Sequence, residues 1–236
     1  MNLTIKSKVR LLIEIIIVLG VMSGAKAIAE QIEVIPSGYT GTIGIWLGIL
    51  VATLFLKRRN ISWSELGLRL PKGKKQWLKQ IGFGFLAIAS IFLVTIITLF
   101  VLQPLFGLEQ AADASHKFSF FLGKPIVFMV YLVVGIGLGA GLGEELLIRG
   151  FLLNQLKSIF GNHKISWVLA LFTQAVIFGL MHSYHGSMGM VNTGLIAFSF
   201  GLIYLVAKRK LFPLIFAHIL FDVLTMVALY VSDGVL

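Results

Sequence analysis

Apolar runs, most of them near the ~20 residues that a membrane-crossing helix needs, recur along this chain and decide its solvent before any other feature does. They cover roughly residues 11–28, 42–56, 81–102, 125–156, 165–181, 190–207 and 212–231. Inside a bilayer only helices and closed barrels satisfy every backbone donor and acceptor, and runs of this length without period-two alternation are helical. Only 13% of residues are charged and the mean hydropathy is +0.95, whereas a soluble domain carries about 25% charged residues. The expectation is an all-α polytopic transmembrane helical bundle of seven to eight spans, one integral membrane domain over residues 1–236.

The formal charge of +10 lies in the connections: Lys6, Lys8 and Arg10, the 57–79 loop, the 157–164 turn and Lys208-Arg209-Lys210. These fall on alternate sides of seven spans, as one cytoplasmic face requires. The reading is a multi-pass protein of the cell membrane, N-terminus cytoplasmic and C-terminus outside; a re-entrant eighth segment reverses the last assignment. The basic start and Ala25-Lys26-Ala27 look like a signal peptide, but Lys26 is foreign to a cleavage site and an uncleaved first span is expected. Glu14 lies one turn from Arg10 and reads as an interfacial pair. Residues 61–71 with Lys72, Lys74, Lys75 and Lys79 read as a basic loop on anionic lipid. A basic face interleaved with aromatics is absent, which argues against nucleic acid as a partner. Without cysteine there is neither a disulfide framework nor a thiolate metal site.

Against this background Gly143-Glu144-Glu145-Leu146-Leu147-Ile148-Arg149-Gly150 stands out. A charge at bilayer depth costs several kcal/mol, so three together mark a site. Glu145 and Arg149, four apart, share a helix face and can pair. On an α-helix Glu144 is turned about 100° from Glu145, so it needs another partner and is the candidate general base. The preceding Gly135, Gly137, Gly139, Gly141 and Gly143 contain small-xxx-small pairs that let helices approach closely. His182 closes one later span, and His218 stands one turn before Asp222, which can accept from the imidazole and set its tautomer. His185 is assigned to a flexible surface loop, His116 and His163 to ordinary loops. Counted from the nearest basic residue at 1.5 Å per residue, Glu144 lies about 20 Å, His218 about 12 Å and His182 about 27 Å into the membrane.

A His-Glu-x-x-His zinc helix, Gly-x-Ser-x-Gly and Gly-x-Gly-Asp are all absent. What stands is Glu-Glu-x-x-x-Arg at 144–149, Phe-x-x-x-His at 178–182 and His-x-x-x-Asp at 218–222, in that order on separate spans. This resembles the CAAX protease and bacteriocin-processing (Abi) family of intramembrane endopeptidases. The resemblance covers about residues 125–230, the catalytic core, and Glu65-Leu66-Gly67-Leu68 is similar to a segment many members carry upstream. It implies that Glu144 and His182 activate water, that Glu145 and Arg149 are a structural or substrate-positioning pair, and that His218 with Asp222 binds the oxyanion or a metal. Many members have Asn where Asp222 stands; an ionised Asp cannot donate a hydrogen bond, which shifts that task to His218 or requires a protonated acid.

Peptide hydrolysis needs an activated water and a donor or Lewis acid for the developing oxyanion. Glu144, His182 and His218 make a conceivable ligand set for one divalent metal such as zinc, and a metal-free glutamate mechanism suits the same residues. The expected activity is an intramembrane endopeptidase, CAAX prenyl protease-like. Its substrate would be a peptide or lipid-modified protein tail approaching from the cytoplasmic side, and its roles CAAX-type processing, bacteriocin processing or immunity. The competing readings are a non-catalytic membrane immunity or scaffold protein and a small transporter with a buried relay.

Overall fold

The computed structural model describes residues 3–111 and 115–232, without the side chains of 115–117 (His116 included), and holds only helices and turns among them. Seven principal helices alternate in direction: α1 (Ile5–Ala29), α2 (Ser37–Arg58), α3 (Lys74–Phe106), α4 (Pro125–Phe160), α5 (Ile165–Met181), α6 (Gly186–Val206) and α7 (Phe212–Val231). Six of them are long and apolar enough to cross a membrane, while α5, at 17 residues, is shorter. The chain is a multi-pass membrane protein. Its helices bury a thin stripe and leave large apolar side chains such as Ile16, Phe92, Phe172 and Val231 exposed on the outside, as lipid-facing helices do.

Pro125 starts α4 where its missing N–H is not needed. Residues 132–152 of α4 are wound as a π-helix; at its end the Leu153 N–H reaches back to the Ile148 carbonyl, five residues away. Extended π winding departs from the α-helical period expected from sequence, and such segments gather at functional sites. The wider π turn makes the step between neighbours somewhat smaller than the α-helical 100°, so Glu144 and Glu145 still point in different directions.

The glycines of this segment are contact points. Gly139 faces Thr42 and Gly143 faces Ile45 and Ile49, all on α2, while Gly141 meets Ile219 on α7. A methyl group on any of the three would overlap those side chains. The main core draws on all seven helices, around Val18, Ala52, Ala87, Leu147, Leu171, Phe200 and Leu214. A second, aromatic cluster around Phe121, Phe128 and Tyr131 closes the opposite end of α4.

Two expectations are corrected. Residues 61–71 do not lie as a solvated loop: Leu66 is buried, the Trp63 indole N–H donates to Thr53 Oγ1 at 2.9 Å, and the ring covers Gly150. Gly67 has φ +105°, a conformation glycine alone adopts readily, and its carbonyl accepts from the Leu211 N–H at 3.1 Å. The Tyr204 hydroxyl donates to the Leu66 carbonyl at 2.9 Å. The segment is thus a plug between α2, α4 and the α6–α7 turn, packed through Trp63, Leu66 and Gly67, with Ser62, Ser64, Glu65, Leu68, Arg69 and Leu70 exposed on its outer side. Glu14 is no bland interfacial residue either. It is buried, paired with Arg10 at 3.1 Å and Arg59 at 3.0 Å, and accepts from Gln155 Nε2 at 3.1 Å, tying α1 to the ends of α2 and α4.

Candidate functional site

Three helices bring the polar groups to one level because their basic anchors are not level with one another. Lys157 and Arg209 both lie 5.8 Å from the Trp167 ring, and Arg209 donates to Asn154 Oδ1 at 2.8 Å. The 208–210 turn is therefore tucked against the middle of α4's last turns, with Lys208 and Arg209 in left-handed conformation, and α7 starts deep. At the α-helical rise of 1.5 Å per residue, His182 stands about 22 Å above Trp167 and His218 about 14 Å above Arg209, and both still line one cavity with Glu144.

All six singled-out residues, Glu144, Glu145, Arg149, His182, His218 and Asp222, line one cavity of about 420 Å³. Their environments differ sharply. Glu145 is 0% and Arg149 1% exposed, and the guanidinium donates from Nη1 to Glu145 Oε1 at 2.9 Å. That same oxygen sits 2.9 Å from His218 Nδ1, while His218 Nε2 lies 3.5 Å from Asp222 Oδ2. Both imidazole nitrogens therefore face carboxylates. The Arg149 guanidinium is held between the Phe178 and Phe200 rings, 5.2 Å from each, and two aromatic faces favour a cation there.

His182 is oriented differently. Its Nδ1 lies 2.9 Å from the Phe178 carbonyl, which can only accept, so Nδ1 carries the proton and Nε2 keeps a lone pair. The Phe-x-x-x-His spacing has a double use: the Phe178 ring covers Arg149 and its carbonyl fixes the His182 tautomer. No hydrogen bond or ion pair joins Glu144 to a described residue, although the charges of His218 and Arg149 act on it, and it lines the cavity. The wide turn of α4 lets both glutamates reach this space, Glu145 in the wall and Glu144 on its surface.

The suggested metal set of Glu144, His182 and His218 does not stand as a preformed ligand group: His218 has carboxylate oxygens 2.9 Å from Nδ1 and 3.5 Å from Nε2. No grouping of three metal-ligating side chains occurs among the described residues.

Two features were missed in the sequence. Asn192 on α6 lines the cavity; its Nδ2 donates to Thr95 Oγ1 at 3.4 Å, and its Oδ1 is buried without a partner. An amide inside an apolar span was the available signal. His185 is no free surface residue: it belongs to a 3-10 turn, half-buried, with its ring 4.2 Å from Tyr184 at the cavity rim. That rim is formed by Lys26, Glu30 and Ser37 on one side and Tyr184 and His185 on the other. It lies at the helix ends remote from the basic loops.

The fold and site define a class: a multi-pass helical membrane protein enclosing a polar cavity lined by acids and imidazoles. Residues 126–224 match the family described as Rce1-like, type II CAAX prenyl endopeptidase Rce1-like. The chain thus carries a CAAX-protease-like domain over that part, from α4 into α7, and the six residues all fall within it. No curated protein and no solved structure matches the chain.

Proposed function

We propose that this protein is an intramembrane endopeptidase that hydrolyses peptide bonds with a water activated by Glu144. The observation that carries the reading is the division of labour between adjacent carboxylates: Glu145 Oε1 holds both Arg149 and His218, while Glu144 lines the cavity without a hydrogen bond to any described residue. A water between Glu144 and His182 gives up a proton to the Glu144 carboxylate, and its oxygen bonds to the substrate carbonyl carbon. The carbonyl π electrons move onto oxygen. His218, poised by two carboxylates, supplies the donor: its Nε2–H exchanges the long contact with Asp222 for the oxyanion. As the C–N bond breaks, the proton held by Glu144 passes to the leaving amine. Asn192 Oδ1 is a free acceptor for a backbone N–H of a substrate laid along α6. The CAAX-protease-like match supports this class of reaction, and processing of lipid-modified tails or of bacteriocin-type peptides are the roles it suggests.

The test is cleavage of a peptide library by purified protein in lipid nanodiscs. Glu144→Gln and His182→Ala should each lower the rate by about 10²–10⁴, with the fold intact. A library left uncut by the wild type under all conditions, or cut equally by Glu144→Gln, overturns the reading in favour of a binding protein.

A further inference from the structure

The cavity has a floor and a mouth, and the floor is toward the basic loops. With the exception of Lys26, Lys117, Lys124 and Arg149, every Lys and Arg of the chain belongs to one end: the start of α1, residues 57–79, the α4–α5 turn and the α6–α7 turn. No residue of those four stretches lines the cavity. Its deepest members, Arg149 and Glu145, are essentially unexposed. Beneath them the chain is packed in successive layers. Asn154 Nδ2 donates to the Arg149 and Gly150 carbonyls at 2.9 and 2.8 Å. Trp63 and Leu211 close over Gly150. Leu66 and Gly67 lock below them through the Tyr204 hydroxyl and the Leu211 N–H. Plug residues 61–71 thereby seal the basic end.

At the other end the walls part. The α1–α2 connection and the α5–α6 turn meet across the mouth where the Lys26 ammonium stands 5.0 Å over the Tyr184 ring. Lys26 and Glu30 there keep side-chain exposures of 37% and 45%, so the mouth is open to water. From it Thr42, Thr95 and Thr193 line the way to Glu144. Such hydroxyls, with the Asn192 amide, can pair with an extended peptide backbone that must shed its water to enter.

Cytoplasmic loops carry the excess of Lys and Arg. We infer that the cavity is loaded from the membrane face opposite the basic loops, the extracytoplasmic face. Its substrate class is then a polypeptide segment displayed on that face, an exported peptide or the outer juxtamembrane stretch of a membrane protein, rather than a tail presented from the cytoplasm. The substrate clause rests on the peptidase reading; the direction of access does not.

The chain has no cysteine, so single thiols report cleanly. Thr42→Cys and Thr193→Cys place a thiol inside the cavity, and Ser64→Cys places one on the exposed plug surface. A membrane-impermeant maleimide is added to intact cells and to inside-out vesicles. Thr42→Cys and Thr193→Cys should react in intact cells and lose labelling in inside-out vesicles, and Ser64→Cys should do the reverse. Cavity thiols that label from the same face as Ser64→Cys, from both faces, or from neither overturn the inference. Two cavity positions guard against one misfolded variant. Labelling needs no turnover: correct labelling of a protein without peptidase activity retires the peptidase reading and leaves the access direction standing.

Discussion

Neutralising the two adjacent glutamates one at a time separates scaffold from chemistry. Glu145→Gln leaves Arg149 and His218 facing an amide oxygen in the deepest wall of the cavity, where the lost charge is not replaced. Arg149 is 1% exposed, and both partners lie 2.9 Å from the same oxygen. Removing one member of a buried ion pair costs about 3–5 kcal/mol, mostly because the other charge is stranded. The amide oxygen still accepts one bond, which places the expected loss near ~3 kcal/mol. In a chain of this size each kcal/mol moves the unfolding midpoint by about 2–4 °C, so the shift is about 6–12 °C. Glu145→Gln combined with Arg149→Met removes both charges at similar volume and should return a coupling energy of about 1–3 kcal/mol. Glu144→Gln, which breaks no hydrogen bond or ion pair to a described residue, should stay within about 0.5 kcal/mol of wild type while losing activity. Thermal unfolding of wild type, Glu144→Gln, Glu145→Gln, Arg149→Met and the Glu145→Gln/Arg149→Met double in one detergent, followed by tryptophan fluorescence, reads all of this. Equal midpoints for Glu144→Gln and Glu145→Gln would refute the reasoning.

Two further expectations concern packing and the plug. A Cβ at Gly44 would overlap the Met22 carbonyl oxygen, a backbone atom that cannot swing aside, whereas nothing lies within 4 Å of one at Gly20. Gly44→Ala should therefore destabilise by about 1–3 kcal/mol, and Gly20→Ala should stabilise by up to about 1 kcal/mol through helix propensity; matched unfolding curves decide. In the plug, the Ser62 backbone N–H and hydroxyl donate to Glu65 Oε2 at 2.7 and 2.8 Å and hold that carboxyl below its ordinary range. A depressed folded pKa means the stabilisation is complete above the free glutamate value of about 4.3 and is lost as pH falls through the folded one. Hydrogen-exchange protection of residues 62–68 should hold from neutrality to about pH 5 and fade in stronger acid. A Glu65→Gln protein whose protection fades over the same acid range as wild type would contradict this.

Much of the architecture was legible in the residues themselves. The limits of α5 and α7, 165–181 and 212–231, coincide with the apolar runs, because the bilayer demands an internally bonded segment of fixed length wherever the side chains are apolar. The Glu145–Arg149 contact also followed from spacing, since both partners lie on one helix. Contacts between helices were out of reach. His218 joins Glu145 across 73 residues, and Glu14 meets Gln155 across 141, separations about which local periodicity carries no information.

What the residues determined by themselves is the solvent, the helices and the presence of a costly polar cluster, because each of these depends on composition and spacing along a single segment. What only tertiary structure decided is that His218 joins Arg149 on Glu145, and which end of the cavity is open. The first depends on α7 bringing His218 to the oxygen that Arg149 already holds. The second depends on residues 61–71 folding inward under Arg149 instead of lying on lipid. Neither could be read from a linear pattern, since both are set by segments distant in the chain competing for the same few cubic ångströms of space.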